Sequence, residues 1–203
     1  MKLHKIKSFK FGFALAAILV LFFGMSIAGA PANRSTSLVH WLSDLTEVEG
    51  ASATLVRHNN GISYTLHTTE LTSGDAVTNW WVIFNNPESC SDKSDVLGTA
   101  CGFGDLFAPG VDASILFAAG HVVGNGENAN FAASLSVGDN DGDLIEGPGL
   151  TNPMGAEIHV LVRTHGEMIP SLVSGQISTV DVACIDGDPS DPCEDLQAAA
   201  FVP

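Results

Sequence analysis

From Ala51 onward, apolar and polar residues alternate with a period of two, which is typical of strands that bury one face. The apolar-rich runs at 53–58 and 62–68 flank Asn59-Asn60-Gly61. Asn-Gly favours a tight β-hairpin because both residues accept positive φ, so these runs predict two paired strands. The run at 76–86, AVTNWWVIFNN, predicts a third strand because it is rich in β-branched and aromatic residues.

Further strand-like runs occur at 112–123, 129–137, 156–166, 174–184 and 196–202. About eight strands with many turn signals predict an all-β fold, an antiparallel sandwich or jelly roll. In the run AEIHVLVRTHG the alternation assigns side chains to two faces. The face predicted to be buried contains Ala156, Ile158, Val160 and Val162, and the opposite face contains Glu157, His159, Leu161, Arg163 and His165.

The first fifty residues follow other patterns. Residues 1–32 combine an n-region that contains four lysines, an apolar run and a small-residue end, which predicts a cleaved signal peptide; an uncleaved anchor is the alternative. Residues 33–50 form an N-terminal segment in which apolar residues at helical spacing predict a short helix, namely Leu38, Trp41, Leu42 and Leu45. Residues 51–203 are expected to form one β-sandwich domain.

The charge is strongly negative, with 8 Lys and Arg against 23 Asp and Glu. Without residues 1–32, four basic residues remain against 23 acidic ones, a formal net charge of −19. Such a surface repels phosphate backbones and anionic lipids, so nucleic acids and membrane surfaces are not expected partners. An envelope component or a glycan remains a partner to consider, and the oligomeric state stays open.

The four cysteines form two sequence-local pairs behind a predicted export signal. This pattern predicts two disulfides, Cys90 with Cys101 and Cys184 with Cys193, in a secreted or periplasmic protein. Each would close a loop of about ten residues and contribute roughly 3 kcal/mol. We expect the two loops that these disulfides close to be insertions in the sandwich.

Three stretches give the chain a resemblance to a known family. The NGISYTL hairpin, AEIHVLVRTHG and the SGQIST run resemble CHRD-type secreted β domains, named after chordin. In that family His-Ile-His typically follows the first strand pair. Here Glu157 replaces the first histidine and the motif comes about ninety residues later. The WWVIFNNPE run is also similar to bacterial secreted proteins without an established function. The resemblance implies an exported β-sandwich and no particular activity.

Acidic residues at 139–146 suggest a calcium loop, because Ca²⁺ takes six to eight oxygen ligands. The expected ligands are Asp139, Asp141, Asp143 and Glu146. The loop does not match an EF-hand, since Leu144 stands where that motif has glycine. The alternative is a solvated acidic turn, so Ca²⁺ is a cofactor to test.

The histidines suggest a different metal site. His159 and His165 are on one face of the same strand but about 20 Å apart along it, too far to share one ion. His159 could instead pair across strands with His121 or His67 in a transition-metal site, the basis for a metal-handling protein or a metalloenzyme.

Other chemistry has less support. The chain contains no Gly-x-Ser-x-Gly elbow, and its cysteines are predicted to be paired. Trp80 and Trp81 should point to opposite faces, so at most one belongs to the core and the other could stack on a sugar. The first hypothesis is therefore an exported module without enzymatic activity, which binds a partner or belongs to the cell envelope. Stabilisation of this module by calcium is a variant of the same hypothesis. A metal site and a carbohydrate-binding module are the alternatives.

Overall fold

A computed structural model describes residues 33–139, 147–185 and 190–203 of the chain. These residues form nine strands, one short α-helix and two 3-10 turns. The strands are β1 (Asn33–Ser37), β2 (His40–Trp41), β3 (Ser52–His58), β4 (Gly61–Thr68), β5 (Asp75–Phe84), β6 (Ala113–Val122), β7 (Ala129–Ser136), β8 (Glu157–Glu167) and β9 (Cys193–Phe201); the helix is α1 (Val173–Gln176) and the turns are Pro87–Ser89 and Phe103–Asp105.

The strands form two antiparallel sheets, one ordered β1-β3-β4-β7 and the other β2-β9-β8-β5-β6. The prediction of an all-β antiparallel sandwich is confirmed. Its main core lies between the sheets, where Tyr64 of β4 meets Trp81 of β5 edge to face at a centroid distance of 4.6 Å. The predicted inner face of β8 is also confirmed, because Ile158, Val160 and Val162 are fully buried in this core.

The β3–β4 hairpin is present, with His58 paired to Gly61 across the turn. The turn does not use the positive φ angles that the Asn-Gly pattern predicts, since neither its asparagines nor Gly61 has a positive φ. An ideal Cβ on Gly61 would instead lie 2.4 Å from the carbonyl oxygen of Leu135 on β7. Gly61 therefore permits a close approach of β7 to the end of the hairpin.

The helix predicted within residues 33–50 is wrong. Residues 33–37 pair with β3 in one sheet, and residues 40–41 pair with β9 in the other. The chain crosses between the sheets at Val39, which is fully buried. The helical spacing reflects one turn, in which Leu45 N–H donates to the Trp41 carbonyl and Leu45 adopts a φ of 61°. Strand pairing and burial outweigh the weak local helix preference.

The strand predicted at 174–184 is also wrong. This segment contains α1 and turns, and it lies against β6, where an ideal Cβ on Gly120 would be 1.7 Å from the Ile177 carbonyl oxygen. The buried side chain of Gln176 donates to the carbonyls of His165 and Glu167 and accepts from Ile169 N–H. These contacts hold the segment over the sheet without strand pairing.

A second apolar cluster covers the outer face of the five-stranded sheet. Trp80, Val82 and Phe84 of β5 pack there with Leu161 of β8, and residues 85–112 cover them. Trp80 and Trp81 are each only 1 % exposed, so the prediction that at most one of them is a core residue is wrong. The five-stranded sheet is therefore buried on both faces, and the candidate site lies on the outer one.

Candidate functional site

An apolar cleft of about 270 Å³ lies between the outer face of the five-stranded sheet and the loop of the first disulfide. Val82, Phe84 and Leu161 form its floor together with alanines of β9. Leu97 and Phe103 of the loop form one wall, and Leu42 and Leu45, which follow β2, contribute to the lining. Ligand sites in proteins are concave, mostly apolar and contain a few placed polar groups, which this volume and lining resemble.

The loop over the cleft is fixed at its base by a carboxylate and a disulfide. Asp105 is buried, and its carboxylate accepts hydrogen bonds from the backbone N–H groups of Ser91, Asp92 and Gly102. Cys90 and Cys101 are joined, as predicted, with a Cα–Cα distance of 5.1 Å. A loop tied in this way can present a preformed wall to a ligand.

Glu157, the first residue of β8, ties the far end of the loop to the sheet. Its side chain is fully buried, and its carboxylate accepts hydrogen bonds from Ala100 N–H at 3.0 Å and Cys101 N–H at 3.1 Å. The same carboxylate lies 2.9 Å from Nε2 of His159. Burial alone would raise the pKa of Glu157, but its hydrogen bonds with His159, Ala100 and Cys101 hold it below the usual value.

The ionised state of Glu157 sets the tautomer of His159. A carboxylate can only accept hydrogen bonds, so Nε2 of His159 carries the proton that it donates to Glu157. Nδ1 is then an acceptor in a neutral ring and a donor in a protonated one. Among the described residues, no group is hydrogen-bonded to Nδ1, and His159 lines the cleft. The pair therefore fixes the orientation of the His159 ring at the cleft, and in the part of the chain that the structure describes no nucleophilic side chain is hydrogen-bonded to it.

Thr99 has a hydroxyl without a partner that is sealed from solvent. It lines the cleft and is only 5 % exposed, and its hydroxyl has no hydrogen-bond partner among the described residues. Its backbone is fully paired with Ser94 in both directions. Leaving a buried hydroxyl without a partner costs free energy, and such groups in native proteins need an explanation.

The lowered pKa of Glu157 predicts acid sensitivity of the folded protein. A carboxyl group with a depressed folded-state pKa stabilises the fold above its unfolded value, here 4.5, and that contribution is lost as the pH falls through the folded-state value. The free energy of unfolding should therefore fall as the pH drops below about 4.5. Urea titrations at several pH values measure it. In Glu157→Gln this part of the pH dependence should be absent, and an unchanged slope would contradict the assignment.

The two histidines proposed as metal ligands are not brought together. His121 on β6 pairs with Val77 and packs against Phe131 of the facing sheet, so it lies on the inner side. His159 pairs with Val82 and lies on the outer side. His67, the other partner considered, lies on β4 in the other sheet and is hydrogen-bonded to Asn130. The cross-strand site predicted for His121 and His159 is therefore wrong, because the sheet separates the two rings.

Two groups of three potential metal ligands occur in the described part of the chain, and both contain disulfide sulfurs. One comprises His165, Cys184 and Cys193, and the other Cys90, Cys101 and Asp105. Cys184 and Cys193 are bonded as predicted, with a Cα–Cα distance of 5.3 Å. Metal ions bind thiolates, so neither group is a metal site while its disulfide is intact.

His165 is buried and serves a structural role. Its Nδ1 lies 3.1 Å from the Val182 carbonyl and its Nε2 lies 3.0 Å from the Thr78 hydroxyl. Burial lowers the pKa of His165, so the neutral ring is favoured. The outward face predicted for β8 is thus covered at His165 as well as at Glu157 and Leu161.

The predicted calcium loop lies almost entirely outside the described residues. Asp139 is partly buried beyond the end of β7, and its N–H donates to the Ser136 carbonyl. Asp141, Asp143 and Glu146 fall outside the described ranges. Calcium binding at this loop stays a prediction.

Comparisons with known proteins give no further assignment: no family model, curated protein or solved structure matches the chain significantly. Within residues 33–139, 147–185 and 190–203, no helix is both long and apolar enough to cross a membrane. The two disulfides indicate an oxidising environment.

Proposed function

We propose that the protein is an exported, non-enzymatic binding module and that the cleft beside His159 is its ligand site. The observation that supports this proposal most strongly is an apolar cleft whose lining includes the ring of His159, which the buried Glu157 carboxylate holds in place. The export part rests on the two disulfides and on the signal-peptide pattern of residues 1–32.

The sequence resemblance to CHRD-type domains belongs to the same proposal. That family has His-Ile-His where this chain has Glu157-Ile158-His159. The substitution replaces a second imidazole by a carboxylate that orients His159 and ties the loop to the sheet. Carbohydrate binding through a tryptophan platform is not favoured, because both tryptophans of β5 are buried.

Filling the cleft should abolish ligand binding. Ala200 lines the cleft and pairs with His159, so Ala200→Phe places a ring where the ligand should lie. We expect prodan, a neutral solvatochromic naphthalene, to shift its emission to the blue with the wild-type protein and to lose that shift with Ala200→Phe. Fluorescence titration measures both.

Ala132→Phe is the matched control, because Ala132 is exposed on β7 of the other sheet. This variant should bind prodan like the wild type. An emission shift that survives in Ala200→Phe, or no shift with the wild-type protein, would contradict the proposed site.

A further inference from the structure

A buried imidazole lies directly behind the second disulfide. Nδ1 of His165 is 3.8 Å from Sγ of Cys184 and 3.7 Å from Sγ of Cys193. The histidine is only 1 % exposed, whereas both cysteines are partly exposed. The three potential ligand atoms all lie within 4.8 Å of one another. One nitrogen and two sulfurs therefore meet where the covered outer side of β8 approaches the surface.

The two nitrogen-to-sulfur distances are close to those of a tetrahedral zinc site. With a Zn–N bond of about 2.0 to 2.1 Å and Zn–S bonds of about 2.3 Å, a tetrahedral angle places the nitrogen about 3.6 Å from each sulfur. The imidazole of His165 already has this spacing to both sulfurs. Only the two sulfurs would have to move apart, which cysteine side chains do by rotating about their Cα–Cβ bonds.

The other ring nitrogen of His165 has the partner that a metal ligand needs. Nε2 is 3.0 Å from the hydroxyl of Thr78, which accepts a hydrogen bond from Nε1 of the buried Trp80. A metal-bound histidine usually donates its free ring N–H to such an acceptor, and this bond fixes the plane of the ring. The Thr78 hydroxyl has two lone pairs and can accept from both rings.

The electrostatic surroundings of the ring favour a cation. Asp181 and Asp191 act on His165 with their negative charges, and Arg163 acts on it with a positive one. The charge of Arg163 is balanced by an ion pair with Asp195, in which Nη1 and a carboxylate oxygen are 2.7 Å apart. Two acidic groups thus remain to attract a positive ion to the sulfurs.

We infer that His165, Cys184 and Cys193 form a zinc site when their disulfide is reduced, and that the disulfide closes this site. The ligands are Nδ1 of the histidine and two thiolate sulfurs, and water takes the fourth position. A dithiol reductant supplies two electrons and two protons, so that the S–S bond breaks, two thiols form and the reductant closes its own disulfide. Zn²⁺ then displaces the two thiol protons.

The state of Nδ1 distinguishes the two forms. In the disulfide form Nδ1 of His165 is 3.1 Å from the carbonyl oxygen of Val182, which can only accept, so Nδ1 carries a proton. Zinc takes the place of this proton, and Nε2 then donates to the Thr78 hydroxyl. In an oxidising environment the site is closed, and it opens where a dithiol donor acts. The inference does not depend on ligand binding in the cleft beside His159.

Zinc titration before and after reduction tests the inference. The purified protein is reduced with a phosphine, the phosphine is removed without oxygen, and the affinity for Zn²⁺ is measured by competition with a chromophoric chelator. We expect one Zn²⁺ per chain, bound at least about a hundredfold more tightly after reduction, because the oxidised sulfurs are not thiolates. Co²⁺ in place of Zn²⁺ should give thiolate-to-cobalt charge-transfer absorption.

Three variants show which groups hold the ion. The double variant Cys184→Ser, Cys193→Ser should lose the tight binding, and the matched double variant Cys90→Ser, Cys101→Ser should keep it. His165→Phe retains a ring and both thiols and should bind Zn²⁺ at least about tenfold more weakly. In the wild-type protein, ¹⁵N NMR should show that Nδ1 of His165 loses its proton when zinc binds, a readout that does not require the variant to fold.

Each measurement can overturn the inference. Equal zinc affinity before and after reduction, tight binding that survives in the Cys184→Ser, Cys193→Ser variant, or an Nδ1 signal of His165 that zinc leaves unchanged would each contradict the site. Loss of tight binding in the Cys90→Ser, Cys101→Ser variant would assign zinc to the first disulfide instead. Circular dichroism follows the fold, and unfolding of the reduced chain would also overturn the inference, because the fold holds the three ligands together.

Discussion

Arg57→Met is expected to lower the free energy of unfolding by about 4 kcal/mol, the largest effect of any single substitution considered for this protein. Arg57 is on β3 and is only 1 % exposed. Its Nη1 donates to the carbonyls of Pro153 and Ala156 at 2.9 and 2.8 Å, and its Nη2 donates to the carbonyl of Phe201 at 3.1 Å. One guanidinium thus joins β3 to the segment before β8 and to the end of β9.

The cost follows from what the substitution leaves behind. Methionine fills much of the volume but donates no hydrogen bond, so the three buried carbonyls and the partly buried carbonyl of Val202, 3.4 Å from Nη2, lose this donor. Arg57 also attracts the buried Glu157, which raises the pKa of the guanidinium against the lowering by burial. Removing its charge leaves that carboxylate less well compensated.

Urea denaturation measures this effect as a fall in the midpoint at an unchanged m-value. Arg34→Met is the matched control, because Arg34 is exposed on β1, and it should change stability by less than about 0.5 kcal/mol. A loss below about 1 kcal/mol for Arg57→Met would mean that water replaces the guanidinium at these carbonyls.

Glu157→Gln is expected to impair both stability and binding. The carboxylate accepts three hydrogen bonds, two from the loop backbone and one from His159. A glutamine oxygen can accept two of them, and the amide NH₂ would face a third N–H. We expect a loss of about 2 to 3 kcal/mol in the free energy of unfolding and about a tenfold weaker binding of prodan.

The affinity falls because the loop wall loosens and the orientation of the His159 ring is no longer set. Calorimetric or urea unfolding, together with the fluorescence titration, measures both effects. Glu88→Gln, at an exposed residue of the Pro87–Ser89 turn, should change neither. A destabilised Glu157→Gln protein that binds prodan with wild-type affinity would show that Glu157 does not position the parts of the cleft that bind it.

The sequence predicts the sandwich and the inner face of β8 because both depend on a period of two. Each inward residue, such as Val160, is separated from the next by one residue of the other face. Sequence-local spacing likewise predicts both disulfides. The prediction of a short helix is wrong because this segment pairs with β3 in one sheet and with β9 in the other. Pairing with strands that are distant in the sequence leaves no local pattern.

The candidate site was predicted only in part. Alternation correctly places Glu157 and His159 on one face, and that pattern is the only signal for the pair. It does not show that residues 85–112 cover this face, since their composition is that of a polar loop. The uninterrupted run Trp80 to Phe84 was the available signal, because a strand buried on both faces is apolar throughout. Nothing in the sequence distinguishes Thr99 from other loop threonines.

The central claim is that the cleft beside His159 is a ligand site, and NMR mapping of prodan binding tests it most directly. Amide and imidazole signals of the ¹⁵N-labelled protein are followed during the titration. We predict saturable shifts at Thr99, Cys101, His159 and Ala198, with the ring signals of His159 changing most among the imidazoles, and none at Thr54 or Thr65 of the other sheet. Shifts confined to the other sheet, or no saturable shift at the cleft, would contradict the account.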